Sequence, residues 1–206
     1  RTVTVFFSDI EGFTRLTESM SPESVAHFMN TYLSTMTSII LEEQGTIDKY
    51  VGDAIVAFWN APLDEPDHAA KAVRAALRCQ DELAAGRFPK TRIGIHTGKA
   101  VVGNMGSEFR FNYTALGDAV NTASRLEAVN KELGTRVLVS VDTVQAVRAR
   151  ADAQAVPSGH GIEFRRLGLV AVPGKSLPVE VWEPYWIENG PTSVASWDGI
   201  RVVAEK

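Results

Sequence analysis

The sequence predicts an α+β fold: a ferredoxin-like βαββαβ core with additional strands and a C-terminal β-hairpin. Short apolar runs that suit strands alternate along the chain with segments whose apolar residues recur at helical spacing. Their order is β, α, β, β, α, β, then α and β, which places two βαβ-like units around an antiparallel hairpin. The length of 206 residues and the 45% share of hydrophobic residues allow one large domain, or at most two small ones.

The first half of the chain contains signals for a strand, a helix, a hairpin and a second helix. A β-branched and aromatic run over 3–7 is typical of a buried strand, and Asp9 follows where the run stops. Ser21 and Pro22 suit the N-cap and the first turn of a helix, which Gly45 would end. A tight turn and a second apolar periodicity predict the hairpin strands and the second helix over 46–51, 54–59 and 67–85.

The second half is predicted to extend the sheet. A Gly-containing segment over 104–118 indicates a loop, and the strand pattern is lost after Trp186. We therefore expect one domain over 1–186 and a C-terminal tail over 187–206. The other strands are predicted over 92–97, 99–103 and 136–140, the helices over 119–132 and 142–150, a loop over 153–162, and the terminal hairpin over 163–172 and 178–185.

Composition and charge exclude several classes of function. The formal net charge of −4, from 21 Lys+Arg and 25 Asp+Glu, argues against nucleic-acid binding, which usually needs a basic excess. The single cysteine, Cys79, excludes an internal disulfide and fits a reducing, cytoplasmic compartment. No apolar run approaches the roughly 20 residues that span a bilayer, so no membrane segment is expected here. A start at Arg1 directly before a strand favours a domain of a larger membrane-anchored or multidomain protein.

Two carboxylates follow strand-like runs at turns and are candidates for a metal site. Asp9 follows the first strand, and Asp53 follows the first strand of the hairpin. So placed, they can face one cleft and hold divalent cations, or they can simply cap their turns. The turn that contains Gly12, Phe13 and Thr14 would expose backbone N–H groups that favour a phosphate. A metal beside a phosphate cradle indicates a nucleotide site.

Further polar residues are candidates for nucleotide contacts. Lys49 lies inside a predicted strand, where a lysine is otherwise a solvated edge residue. Asn121 and Arg125 stand four apart, so on a helix they project from one face. An amide and a guanidinium there suit a ribose and a phosphoryl group, whereas the alternative is a solvated stripe. The segment 94–100 is not a P-loop, because three residues separate its glycines and Ala100 replaces Ser or Thr.

Four blocks of sequence are specific in combination, although each alone is a weak signal. The blocks are FFSDIEGFT at 6–14, DKYVGDAIVAFW at 48–59, GIHTGKAVVGNMG at 94–106 and YTALGDAVNTASRLE at 113–127. In order and spacing they resemble the catalytic domain of the class III nucleotidyl cyclases. The resemblance extends over about residues 2 to 185.

The resemblance implies two-metal chemistry at the candidate carboxylates. Asp9 and Asp53, assisted by the backbone carbonyl of Ile10, would bind two Mg²⁺ or Mn²⁺ ions. The ribose 3′-hydroxyl would attack the α-phosphorus in line, expel pyrophosphate and close a cyclic 3′,5′-monophosphate. Catalysis would then consist mostly of positioning and charge stabilisation.

Base choice follows from hydrogen-bond donors and acceptors. Adenine presents an acceptor at N1 and a donor at N6, whereas guanine presents a donor at N1 and an acceptor at O6. Lys49 can only donate and suits adenine N1, and the resemblance puts Thr114 where N6 is read. ATP is therefore the expected substrate; a guanylyl cyclase, which uses a glutamate at the lysine position, is an alternative. Threonine in place of the commoner aspartate resembles a subgroup in which some members respond to bicarbonate.

The resemblance also implies a head-to-tail homodimer with two equivalent sites at its interface. One subunit would supply the metal-binding aspartates, and the other Lys49, Thr114, Asn121 and Arg125. In the family, the asparagine orients the ribose and the arginine stabilises charge on the α-phosphate. Lys175 matches a lysine that contacts the triphosphate. A regulatory module that binds nucleotide without turning it over is the alternative from a different class.

Overall fold

The computed structural model describes residues 1–154, 161–172, 175–191 and 198–202. The strands within these ranges are β1 (Thr2–Ile10), β2 (Thr46–Val51), β3 (Ala54–Trp59), β4 (Thr91–Lys99), β5 (Val101–Ser107), β6 (Arg110–Leu116), β7 (Val137–Ser140), β8 (Ile162–Ala171), β9 (Val179–Trp186) and β10 (Ile200–Val202). The helices are α1 (Phe13–Thr17), α2 (Pro22–Glu42), α3 (His68–Ala84), α4 (Asp118–Leu133) and α5 (Val141–Gln154).

The described strands form one large and one small sheet. The large sheet has eight strands in the order β10-β8-β9-β7-β4-β1-β3-β2. The interior strand β1 runs antiparallel to both β3 and β4, while β4 runs parallel to β7. The small sheet is the antiparallel pair β5-β6. This arrangement confirms the predicted α+β fold, and the antiparallel pair β8-β9 confirms the C-terminal hairpin.

Helices cover both faces of the large sheet, so β1 is buried on each side. On one face, α2, α3 and α5 pack over a core that includes Phe6 and Ile10 of β1. On the other face, α4 packs with Val3 and Val5 of the same strand. A strand enclosed in this way must be apolar at nearly every position, which is why the run over 3–7 is continuous rather than alternating.

The end of α2 shows how one glycine is chosen by packing. Ser21 is the N-cap, as predicted, and accepts a hydrogen bond from the N–H of Ser24. At the other end, Gln44 rather than Gly45 has the left-handed conformation, with φ of 64°. A Cβ on Gly45 would lie 2.6 Å from side-chain atoms of Ile40 and Trp59. The glycine therefore ends the helix beside a buried tryptophan and does not supply the left-handed turn.

A second glycine brings α4 against the sheet. A Cβ on Gly94 of β4 would lie 2.2 Å from the backbone oxygen of Ala123 and 2.3 Å from the backbone nitrogen of Glu127. Both atoms belong to α4 and are held in its backbone hydrogen-bond pattern. The helix that carries Asn121 and Arg125 therefore packs with its backbone directly on the strand.

The structure differs most from the prediction in two segments. Residues 104–118, predicted as a loop, form most of the β5-β6 hairpin, in which Gly103 pairs with Thr114. Glycines and polar residues interrupt the apolar alternation there, which hid the strands. The expected tail over 187–206 includes β10, which pairs in parallel with β8. The loop predicted over 153–162 falls largely on 155–160, outside the described residues.

None of the helices in the described ranges is both long enough and apolar enough to cross a bilayer.

We expect Gly94→Ala to lower the free energy of unfolding by about 3 kcal/mol, because the new methyl group must push α4 away from β4. Urea denaturation at fixed protein concentration measures the change. Gly103→Ala is the matched control in a strand, since a Cβ there meets no atom within 4 Å, and it should change stability by less than about 0.5 kcal/mol. Equal stability of the two variants would contradict this account of the α4 contact.

Candidate active site

Asp9 lies near the end of β1, opposite Arg92 of β4. The sequence predicts that Asp9 lies in the turn after the first strand. This prediction is wrong, because β1 continues through Ile10 and Asp9 belongs to the strand itself. Its side chain is 34% exposed, and its Oδ2 lies 3.8 Å from Nη2 of Arg92. The Nε of Arg92 in turn donates to Oε1 of Glu127 on α4, at 2.8 Å. This arginine is thus shared between two carboxylates.

Asp53 lies in the turn between β2 and β3 and reaches the same place. Its Oδ2 accepts a hydrogen bond from the backbone N–H of Ile10 at 3.0 Å. Burial raises the pKa of Asp9 to about 7, with further contributions from the negative charges of Asp53 and Glu127, while Arg92 opposes the shift. The two predicted carboxylates are therefore close enough to repel each other, and a bound cation would offset this repulsion.

The few oxygen ligands at this place suit a cation that also binds oxygen atoms of a substrate. Within the described ranges, no group of three or more His, Cys, Asp or Glu side chains could hold a metal ion by itself. Mg²⁺ is typically held by one or two carboxylates together with substrate phosphates and water. Asp9 and Asp53 match that pattern, and the Ile10 carbonyl that the resemblance implies would add a third oxygen.

The turn after β1 is held from both sides. Gly12 has φ of 72°, in the left-handed region, and precedes the short helix α1. Phe13 packs on the main core, whereas Thr14 is exposed. The N–H of Glu11 donates to the carbonyl of Lys90 at 2.8 Å, and the Glu11 carboxylate accepts from Arg136 at 3.0 Å. The predicted phosphate-binding turn therefore has a defined backbone path beside Asp9.

Lys49 and Thr114, predicted from different parts of the chain to read one base, are in direct contact. Lys49 lies on β2 and Thr114 on β6, and the lysine Nζ donates to the threonine Oγ1 at 3.2 Å. Thr114 is buried, while the Lys49 side chain remains 42% exposed. The contact joins the large sheet to the small one and leaves the lysine open to a ligand.

Asp48 is a site residue that sequence reasoning missed. Its side chain is 1% exposed, and it accepts from the Thr114 hydroxyl at 2.7 and 2.9 Å and from the N–H of Ala115 at 3.2 Å. Its Oδ1 also lies 3.2 Å from Nζ of Lys49. Neighbours in a regular strand point to opposite faces, but an irregularity in the pairing of β2 with β3 between Ile47 and Lys49 lets Asp48 and Lys49 reach one site.

The remaining candidates lie at the start of α4. Asn121 is exposed, and Arg125 is half-buried with its Nη1 3.9 Å from Oδ1 of Asp118. Among the residues that the structure describes, the buried Nη1 of Arg125 has no hydrogen-bond partner. Lys175 pairs with Oδ2 of the same aspartate, and this bond lowers the pKa of Asp118. Asp118, also missed from the sequence, therefore brings Arg125 and Lys175 into one cationic cluster.

The structure thus assembles the predicted residues into three groups. They are the carboxylate pair, the base-reading pair and the cationic cluster: Asp9 with Asp53, Lys49 with Thr114, and Arg125 with Lys175. Among the residues that the structure describes, no hydrogen bond or ion pair joins one group to another. A cavity of about 700 Å³ lies elsewhere, between α3, β7 and β9, and none of these six residues lines it.

Comparison with known proteins identifies relatives of this arrangement. A family model for the adenylate and guanylate cyclase catalytic domain matches residues 1–189. Adenylate cyclase 1 of Rhizobium meliloti is 38% identical in an alignment 190 residues long, which covers 88% of this chain and 27% of that protein. The chain thus spans little more than a quarter of the length of that relative.

Two solved structures share the fold. The adenylyl cyclase CyaB from P. aeruginosa has a TM-score of 0.74 and 34% identity, covering 89% of this chain and 93% of that one. The guanylyl cyclase Cya2 has a TM-score of 0.71 and 30% identity, covering 89% and 91%. Because the family model and both structures extend over nearly all of this chain, it belongs to the family of adenylate and guanylate cyclase catalytic domains.

Proposed function

We propose that the chain is the catalytic domain of an adenylyl cyclase, which converts ATP into 3′,5′-cyclic AMP and pyrophosphate. Similarity to both adenylyl and guanylyl cyclases leaves the base open, so the contact between Lys49 and Thr114 carries the choice. Lys49 can only donate, which suits N1 of adenine and opposes the N–H at N1 of guanine. Thr114 can accept from the exocyclic amine of adenine. The name of the Rhizobium meliloti relative agrees with this substrate.

The carboxylate pair is proposed to hold the metal ions. Asp9 and Asp53 would bind Mg²⁺ or Mn²⁺, together with the Ile10 carbonyl, and the backbone over 12–14 would contact the phosphates. The bound ions would supply Lewis acidity to the ribose 3′-hydroxyl and to the triphosphate. The pKa of Asp9, raised first by burial and then by the negative charges of Asp53 and Glu127, supports this assignment, because a bound cation would stabilise the ionised carboxylate.

The cationic cluster is proposed to bind the triphosphate, while Asn121 orients the ribose. Nη1 of Arg125, which makes no hydrogen bond among the described residues, would donate to an α-phosphate oxygen, where charge develops during the attack. Lys175 now pairs with Asp118, and a polyphosphate would compete for its ammonium group. Lys175 would then exchange its ion pair with Asp118 for one with the bound substrate.

A homodimer is proposed to complete the site. Exposed apolar side chains are concentrated on β2, β5 and β6. Lys49 lies on β2, Asp53 follows the same strand, and Thr114 lies on β6. These apolar side chains are Tyr50, Val51, Val101, Phe111 and Leu116, with Phe109 between β5 and β6. Apolar groups clustered on a surface in this way usually mark an interface between proteins. A second copy packed there would bring its carboxylate pair to the base-reading pair of the first.

Turnover of ATP and of GTP, each with Mg²⁺ or Mn²⁺, tests the proposal directly. We expect cyclic AMP from ATP, more slowly formed cyclic GMP from GTP, and no product after chelation of the metal or in Asp53→Ala. Adding bicarbonate at constant pH in the same assay tests the stimulation expected from threonine at position 114. Nucleotide binding without any product would instead favour a regulatory module, and faster turnover of GTP would favour a guanylyl cyclase.

The shared site predicts complementation between inactive chains. Asp53→Ala and Asn121→Ala should each be inactive, yet an equal mixture should recover up to about a quarter of wild-type activity, because half the dimers would contain one intact site. Asp53→Ala mixed with Asp9→Ala is the control and should recover nothing, since both changes remove the same half of the site. Failure of the first mixture, with subunit exchange demonstrated, would contradict the shared site.

Removing the charge of Lys49 should affect ATP more than GTP. We expect Lys49→Met to lower kcat/KM for ATP by at least about tenfold, the value of one charged hydrogen bond, with little change for GTP. Steady-state kinetics with both nucleotides measure the ratio. Lys131→Met, an exposed lysine near the end of α4, is the control and should leave both values unchanged. An equal loss for the two nucleotides would show that Lys49 does not read the base.

A further inference from the structure

We propose that Asp48 is a positioning residue that sets base specificity, because it holds the hydroxyl proton of Thr114 away from the nucleotide. This inference rests on the proposed function, in which Thr114 faces the exocyclic group of the base. The inference adds a role for Asp48 that the proposed function does not include. The Thr114 hydroxyl alone could donate to a base or accept from it, and Asp48 would leave it only the acceptor role toward the base.

The geometry around Thr114 shows how the hydroxyl is used. Both carboxylate oxygens of Asp48 lie within 2.9 Å of the threonine Oγ1. A carboxylate only accepts, so the hydroxyl proton must point toward Asp48. The lone pairs of Oγ1 then remain for other donors, and Lys49 Nζ already takes this place at 3.2 Å. Thr114 therefore presents an acceptor, with no proton, on its ligand side.

The position of Asp48 is held independently of Thr114. Its side chain is 1% exposed, and it accepts from the backbone N–H of Ala115 as well as from the hydroxyl. The ion pair with Lys49 provides a compensating positive charge for a buried carboxylate. The pairing irregularity in β2 turns Asp48 toward β6 without removing Lys49 from the site. These contacts fix the direction of the hydroxyl before any nucleotide arrives.

The consequence for the two bases is opposite. The amine at N6 of adenine donates and would bond to the remaining lone pair of Thr114. The carbonyl O6 of guanine accepts, so it would face a second acceptor and lose a hydrogen bond that it makes with water. A threonine freed from Asp48 could rotate its proton toward O6 and tolerate guanine. Asp48 would thus make an uncharged hydroxyl behave as a fixed acceptor.

The test uses Asp48→Asn, which preserves size but can offer an N–H to Thr114 and release the hydroxyl proton. We expect the ratio of kcat/KM for ATP to that for GTP to fall about tenfold, mainly through the KM values. In a Thr114→Val background, the same change should alter the ratio less than about twofold, because the group it acts through is absent. Asp81→Asn, whose carboxylate bonds Trp186 on another face, is the matched control and should leave the ratio unchanged.

A purely structural role gives a different result. If Asp48 only joins β6 to β2, Asp48→Asn should lower activity on both nucleotides equally and leave the ratio unchanged, which would overturn the inference. An equal effect on the ratio with and without Thr114 would overturn it as well. If Asp48→Asn is unstable, the smaller Asp48→Ser, which also lacks a carboxylate, should produce the same change in ratio.

Failure of the proposed function can be distinguished from failure of this inference. A wild-type chain that forms no cyclic AMP contradicts the proposed function, whatever the role of Asp48. Equilibrium affinities for ATP and GTP then replace the kinetic ratio, with the same tenfold change expected in Asp48→Asn. Unchanged relative affinities would overturn the inference even in a catalytically active protein.

Discussion

The backbone of α4 packs directly on the backbone of β4, and the candidate site depends on this contact. Gly94 leaves no side chain between the two elements, so the helix lies closer to the strand than side-chain packing would allow. Asn130, fully buried on the same helix, adds a hydrogen bond from its amide to the carbonyl of Ile93 at 2.9 Å. The close approach also brings Glu127 within reach of Arg92, and through that arginine near Asp9. Backbone packing thus determines where charged side chains meet.

Basic side chains at the candidate site pair with carboxylates of the same chain. Lys49 is paired with Asp48, Lys175 with Asp118, and Arg92 with Glu127, whereas the carboxylate pair, Asp9 and Asp53, is mutually repulsive. Negative charge therefore predominates at the carboxylate pair, whereas the lysines of the base-reading pair and the cationic cluster are paired with aspartates. A metal–nucleotide complex would complement this arrangement, since its cation suits the carboxylate pair and its phosphates suit Lys175.

Much of the fold could be predicted because its signals are local. The continuous run in β1, the N-cap at Ser21 and the turn at Gly52 each follow from a few neighbouring residues. The β5-β6 hairpin could not be predicted in the same way, because its strands contain glycines and polar residues and their stability comes from pairing. Candidate site residues with distinctive chemistry could be proposed from the sequence, whereas Asp48 and Asp118 contact partners that lie 66 and 57 residues away in sequence. Such partners are visible only in three dimensions.

The pairing of β10 with β8 has a consequence for how copies of the chain can associate. In the described part of the chain, one edge of the large sheet ends in a strand of three residues, and the opposite edge ends in the longer β2. A short edge strand is a poor template for adding another strand, so open-ended stacking of sheets is disfavoured on that side. Of the two edge strands that the described residues form, β2 is therefore better suited to pairing with another strand than β10. Continuous growth by edge pairing would need a long edge strand on both sides of the sheet.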